Sequence, residues 1–434
     1  MRHVMVMSLT ASAGLVAIFL VDFVDLYFIS LLGDPTLTAA VGFAGTLLWL
    51  SLSLNIGLMI AVSALSARFI GEGNRREARR IATSVMALGI VFGAVISLLF
   101  WCAAPLLLDL IGASGETKSH ATRYIRIISP FMMMSSIGMM CSGILRSHGD
   151  ARRAMFATLA SGAVNAIFDP ILIFGFGLGL NGAAIASVLA AFAMAITALW
   201  PVLRHYKGFA AFEWGQFRRD LPPIFAIAMP AILTNLATPV GAIITTRAIA
   251  PFGDLAVAGY AVIGRLMPLA FCVVFALSGA VGPIVGQNFG AQNYQRVRGA
   301  IIRAMQFAAI YVLLVWIVLF LSHGFIARQF ALEGVGATIV FWFAALVAPL
   351  FFFNGALFVS NAIFNNLDRP IWSTWLNWAR NTLGIIPFVW VGASIAGAPG
   401  VIVGQALGGI LFGVLAVWLS FRLVNAYERG DVPR

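Results

Sequence analysis

The sequence predicts an all-α polytopic membrane protein, with twelve transmembrane helices in two pseudo-twofold-related six-helix lobes. Three observations lead there: an apolar composition, a rhythm of cationic loops, and a match of the chain with itself. Of the 434 residues, 61% are hydrophobic and only 10% are charged. A soluble chain carries about 25% charged residues, so this one has too little polar surface to face water alone. Soluble enzymes and soluble binding modules are excluded. At about 20 apolar residues per span, the length holds roughly a dozen spans and leaves no room for a sizeable extramembrane domain.

Hydropathy outlines the spans in order: residues 4–31, 40–67, 81–108, 123–145, 153–174, 181–203, 222–250, 256–287, 300–322, 338–364, 371–394 and 399–423. The first runs past residue 30 and contains two aspartates, so it is expected to remain as a span rather than be cleaved as a signal peptide. Loop charge then orients the series. The connection after the second span carries Arg68, Arg75, Arg76, Arg79 and Arg80, and that after the fourth carries Arg146, Arg152 and Arg153. The sixth is followed by Arg204, Lys207, Arg218 and Arg219, the eighth by Arg296, Arg298 and Arg303, and the tail holds Arg422, Arg429 and Arg434. Residues 33–38, 175–180, 251–254 and 393–398 contain no cation; Lys118, Arg123, Arg126 and Arg328 are the exceptions on that side. By the positive-inside rule the even connections and both termini face the cytoplasm of a bacterial inner membrane. The net charge of +11 is thereby accounted for without nucleic acid as a partner. Cys102, Cys141 and Cys272 lack the spacing of a disulfide framework or a metal site.

A duplicated chain should match itself near half its length, and this one does. Gly71-Glu72-Gly73-Asn74-Arg75 aligns with Gly290-Ala291-Gln292-Asn293-Tyr294 at a shift of 219; Pro130 answers Pro349 at 219, Gly182 answers Gly400 at 218, and Gly33-Asp34 answers Gly253-Asp254 at 220. Six spans is an even number, so both copies enter from the same side. Such repeats, with a site between them near mid-membrane, mark secondary transporters. The expected layout is a first lobe at 1–203, a cytoplasmic linker at 204–221 and a second lobe at 222–434. The glycine-rich turns lack the Lys-Ser/Thr of a phosphate loop, so neither ATP hydrolysis nor any cofactor is expected.

Several stretches carry a family likeness. Asp25-Leu-Tyr-Phe-Ile-Ser-Leu-Leu-Gly33, followed by Ala39-Ala40-Val41-Gly42, resembles the first-helix motif of multidrug and toxic compound extrusion (MATE) transporters. Gly286-Gln287-Asn288-Phe289-Gly290-Ala291-Gln292-Asn293 is similar to that family's turn after the eighth helix, and Arg146-Ser-His-Gly149-Asp150-Ala-Arg152 to its turn after the fourth. Asn165-Ala-Ile-Phe-Asp169-Pro170 and Gly182-Ala183-Ala184-Ile185-Ala186 resemble its fifth and sixth helices. The resemblance implies two lobes around a central cleft. It also implies antiport, in which a proton or sodium ion enters while an organic compound, often cationic, leaves; nothing demands more than a monomer.

Ionisable groups within spans are costly and mark function by default. The first span holds Asp22 and Asp25, three residues apart; the fifth holds Asn165 and Asp169, four apart; each pair shares a helix face. By helical rise Asp25 lies about 12 Å, and Asp169 about 9 Å, below the outer end, a similar depth that favours one polar pocket. There, burial and a neighbouring like charge both disfavour ionisation, which is the physics of a proton site. Asp25 and Asp169 match the family pattern, Asn165 is placed to hydrogen-bond either acid, and Asp22 stands open between a structural and a coupling role. The second half offers Asn235 and Asn354 where some family members have acids. This favours protons through the first lobe over sodium. Arg265 and Arg380 each fall some 14 Å into their spans, either paired structurally with helix-end carbonyls or acids, or binding an anionic moiety. These two, with Asn235 and Asn354, are the candidate substrate residues. A flippase of lipid-linked precursors remains the alternative. Asp22-x-x-Asp25 is superficially similar to a magnesium-diphosphate motif, but it lacks a second acidic cluster, so a membrane enzyme is not expected.

Overall fold

The structure, a computed structural model, describes residues 12–431 except 13, 15, 18, 22, 23, 26, 27, 30, 33 and 331. The described residues between 12 and 29 are helical and form α1. There follow α2 (Pro35–Gly71), α3 (Arg75–Leu110), α4 (Gly115–Ser147), α5 (Ala151–Gly175), α6 (Leu180–Arg204) and α7 (Trp214–Phe252). Helix α8 is broken at Phe271 into Asp254–Ala270 and Cys272–Gly290; α9 is Tyr294–Gln329 and α10 is Gly334–Asn366. The last stretch, Pro370–Arg429, contains two spans, α11 and α12, which meet at the non-helical residues Ala396 and Gly397. Ten stretches among the described residues are long and apolar enough to cross a membrane. With α1 and the split of the last stretch, the chain has the twelve expected spans.

Most helices run further than their apolar runs. Asn74, Asp150 and Asn293 each cap a helix by accepting a backbone N–H three residues on, from Glu77 (3.2 Å), Arg153 (3.1 Å) and Arg296 (3.1 Å). Hydropathy reports the part of a helix that lies in hydrocarbon. A capped end satisfies its orphan donors and continues through the polar interface.

The chain divides into two compact units, Ala13–Ala228 and Met229–Arg434, and the border falls inside α7. That helix begins at Trp214, well before the expected 222, and its opening turns belong to the first unit. Phe217, Ile224, Ile227 and Ala228 pack into one core with Leu58, Val62, Val85, Met140 and Ile144. Asp220, 1% exposed, accepts from the Ser84 hydroxyl at 2.6 Å and pairs with Arg80 at 3.0 Å. The residues between α6 and the unit border are thus anchored rather than loose.

The repeat is written into the backbone. Positive φ occurs at Gly73 and Gln292 (78° and 60°), at Gly115 and Gly334 (58° and 53°), at Gly149 and Asp368 (79° and 57°), and at Gly179 and Gly397 (53° and 62°). Each pair is separated by 218 or 219 residues. Gly179 and Gly397 also share their ψ, −132° and −141°, a region open only to glycine. Three residues on, Gly182 and Gly400 let their helices touch backbone: a Cβ would strike Leu172 and Ile173 in the first case and Gly392 in the second. Small residues at such crossings are how membrane helices gain contact in a solvent that does not drive them together.

Candidate functional site

In the first unit, α5 turns Asn165 and Asp169 inward. Asn165 is 4% exposed and Asp169 is fully buried. Pro170 follows at once, removing a backbone donor, and the helix passes into a π-turn over Ile171–Gly175. Turns of this kind recur at functional sites because they break the regular ladder and re-aim side chains. Asp25, half-buried on α1, reaches the Asp169 carboxyl. Among the described residues neither oxygen of Asp169 meets a donor. The two facts agree on one reading: two carboxylates are both acceptors, so a hydrogen bond between them exists only when one of the pair carries a proton. Asp22, the remaining acid named from the sequence, lies outside the described residues.

The second unit has no acid at the matching places. Asp25 corresponds at a shift of 220 to Thr245, which donates to Gly241 O at 3.0 Å. Asp169 corresponds to Pro387 or Phe388. A stripe of carboxamides lies instead along α10 and α11: Asn361 (8% exposed), Asn365 (6%), Asn366 (7%), Asn377 (3%) and Asn381 (1%). Asn377 Nδ2 donates to Asn361 Oδ1 at 3.0 Å and to Ser373 O at 2.7 Å, and Asn381 Nδ2 donates to Asn377 O at 2.8 Å. From α7, Thr234 meets Thr374 at 3.3 Å, and Thr374 donates to Pro230 O at 2.8 Å. Arg380 lies on this stripe. Its guanidinium donates to Asn354 Oδ1 and, at 3.3 Å, to Asn381 Oδ1, while Nε is enclosed with no acceptor among the described residues.

The four candidate substrate residues therefore separate. Asn354 and Arg380 are in contact. Asn235 spends its amide on Ala231 O of its own helix at 2.8 Å, and Arg265 is exposed on α8. Sequence reasoning missed the stripe, although 361/365 and 377/381 are four-residue spacings that place each pair on one helix face.

Near the α4–α5 turn, Tyr206 donates to Asp150 at 2.8 Å and Arg153 pairs with the same carboxylate at 2.7 Å. Burial pushes the Asp150 carboxyl up, but the hydrogen bonds from Tyr206 and Arg153 outweigh it and hold it below the usual carboxylate range. Burial pushes the adjacent His148 down.

A family model described as MatE matches this chain twice, at residues 11–171 and 230–391. One curated relative, the FAD transporter of Shewanella oneidensis, is 30% identical over 97% of this chain and 94% of its own length. The multidrug export protein MepA of Staphylococcus haemolyticus is 23% identical over 92% of this chain and 89% of its own. Among solved structures, the MATE transporter VcmN of Vibrio cholerae in its bent form superposes with a TM-score of 0.91 at 25% identity, covering 98% of this chain and 97% of that one.

Proposed function

The chain belongs to the MatE family of membrane transporters, and from that premise we propose that it is a secondary antiporter that exports amphipathic organic compounds in exchange for protons taken up by Asp25 and Asp169. One observation carries this reading: a fully buried carboxyl whose described surroundings offer it a second carboxyl and no donor. Two negative charges so placed in a poor solvent repel strongly, so the pair is held together by protons or parted without them.

The cycle follows from that balance. With the pair ionised, α1 and α5 are pushed apart at this depth and the polar groups call for solvation or a ligand. A proton arriving from outside neutralises one acid and lets it donate to the other. The helices repack, using the π-turn after Pro170 as the give in α5, and the cargo site loses affinity. Loss of the proton to the cytoplasm resets the site. The protein is proposed to work as a monomer in the bacterial inner membrane with both termini cytoplasmic. Sodium is the competing ion, because Asp25, Asp169 and Asn165 also supply the oxygen atoms a hard cation takes.

The test is efflux from proteoliposomes driven by an imposed pH gradient and, separately, by a sodium gradient. The pH gradient is expected to drive export in the parent, with Asp25→Asn and Asp169→Asn inactive. Export by both variants at the parental rate would refute the assignment, and export under sodium alone would replace the ion. Movement of a labelled lipid without export of soluble compounds would favour the flippase. As to cargo, MepA is named for multidrug export, while FAD, the compound named for the Shewanella oneidensis relative, bears two phosphates. Cargo charge has therefore to be read from this chain's own residues.

A further inference from the structure

We propose that the second unit holds an acidic group of the cargo, a phosphate or a carboxylate, on Arg380, with Asn354 and Asn381 fixing the guanidinium; this rests on the transport function proposed for the chain and replaces a cationic cargo with an acidic amphipath.

Other arginines of this protein find acidic partners. Arg80 pairs with Asp220 and with Glu77, Arg153 with Asp150, and Arg298 with Glu428. Several arginines near loops thus stand beside a carboxylate, although Arg146, partly buried at the end of α4, makes no ion pair among the described residues. Arg380 lies some 14 Å into its span by helical rise, where the need for a counter-charge is greatest. Yet among the described residues no ion pair includes it. A guanidinium has five N–H donors and keeps its charge at any physiological pH. Here two neutral carboxamide oxygens take two of its donors, and the enclosed Nε has no acceptor among the described residues. The helix breaks after Asn381, so its terminal carbonyls offset part of the charge. They bring no full negative charge.

The surroundings are built to hold this cation still rather than to neutralise it. Asn381 is tied to Asn377, and Asn377 to Asn361 and Ser373, so the oxygen that Asn381 offers to Arg380 is fixed by a chain of hydrogen bonds across α10 and α11. Gly241 of α7 lies directly against Asn381; a Cβ there would collide with its side chain. A fixed guanidinium with free donors matches the planar, paired oxygens of carboxylate or phosphate. At this depth a lipid headgroup would have to leave its interface, whereas transported cargo passes through.

The experiment uses the full-length protein in phosphatidylcholine nanodiscs, titrated with FAD and with riboflavin, which shares the flavin ring and lacks the phosphates. Binding is read by flavin fluorescence. The parent is expected to prefer FAD. Arg380→Gln should weaken FAD at least about tenfold, the scale of one charge-assisted hydrogen bond, and leave riboflavin within about twofold. Asn354→Asp, which places an internal carboxylate on the guanidinium, should do the same with the fold intact, so the proposal stays testable if Arg380→Gln fails to fold. Arg380→Lys, keeping the charge without the fork, should fall between. Equal loss of both flavins in these variants, no preference for FAD in the parent, or tighter binding of the cationic dye ethidium than of FAD would overturn the proposal. So would FAD binding by the parent, but not by Arg380→Gln, that is competed away in phosphatidylglycerol discs, since the anion held would then be lipid. None of these titrations needs an ion gradient. Parental export by both Asp25→Asn and Asp169→Asn under a pH gradient would sink the coupling reading and leave the anion site standing.

Discussion

The two halves of this protein share a backbone plan and differ in the charge they carry inside it. The first closes its α4–α5 turn with Tyr206 donating to a carboxylate, Asp150. The second closes the equivalent α10–α11 turn with Tyr427 donating to a backbone carbonyl, that of Leu367, at 3.1 Å. At depth the contrast grows. The first half pairs two acids, Asp25 and Asp169; the second sets carboxamides around Arg380. Duplication preserves what the chain needs in order to fold, the caps, left-handed turns and glycine crossings. Each copy remains free to change the groups that see an ion or a cargo. One half carries a charge that a proton can switch off, and the other a charge that nothing at physiological pH can.

The largest effect that would sharpen this contrast is on transport. Asp169→Asn is expected to abolish pH-driven efflux from proteoliposomes while cargo still binds, whereas Arg380→Gln should impair cargo binding first. Loss of the same step in both variants would break the division of labour.

Next is the shared scaffold. Gly182→Val and Gly400→Val each force a side chain into a facing backbone, and each should cost about 1–3 kcal/mol or more, seen as a lowered thermal midpoint in detergent. Similar losses are expected; a large difference would show that the copies no longer use the same crossing.

The turns give a smaller effect of opposite sign. Gly73 and Gln292 occupy equivalent left-handed positions. Gly73→Ala should therefore cost about 1 kcal/mol, and Gln292→Gly should relieve a strain of similar size, less the entropy that glycine adds to the unfolded chain.

The smallest is a pH effect confined to one copy. His148 and Asp150 both have folded-state values below their ordinary ones. Each therefore adds stability above its unfolded pKa and loses it as pH falls through the folded one. The first-half turn should loosen on acidification, His148 beginning below about pH 6.5 and Asp150 following below about 4. The Tyr427–Leu367 hydrogen bond ends on a backbone carbonyl, which does not titrate in this range, and should hold. Hydrogen exchange at the two turns, compared at neutral and mildly acidic pH, measures this.

Much of this molecule is legible in its residues. Span number, the repeat, and the similar depth of Asp25 and Asp169 follow from hydropathy, self-alignment and helical rise, because each is read along the chain without knowing which helices pack together. What the sequence hid involves two helices together. Nothing in residues 204–221 says that Asp220 will meet Arg80 and Ser84, or that Phe217 will enter the first unit's core. Asn235 and Asn354 look alike as lone amides in apolar runs, yet one turns back on its own helix and the other meets Arg380.

Composition and periodicity determined that the chain crosses a membrane twelve times in two copies, because a backbone in hydrocarbon must satisfy itself within each helix. Only tertiary structure decided which buried polar groups face one another. Helix rotation and crossing are set by side-chain packing between neighbours that are distant in the chain, and a few tens of degrees of rotation separate an arginine held by amides from one left on a surface.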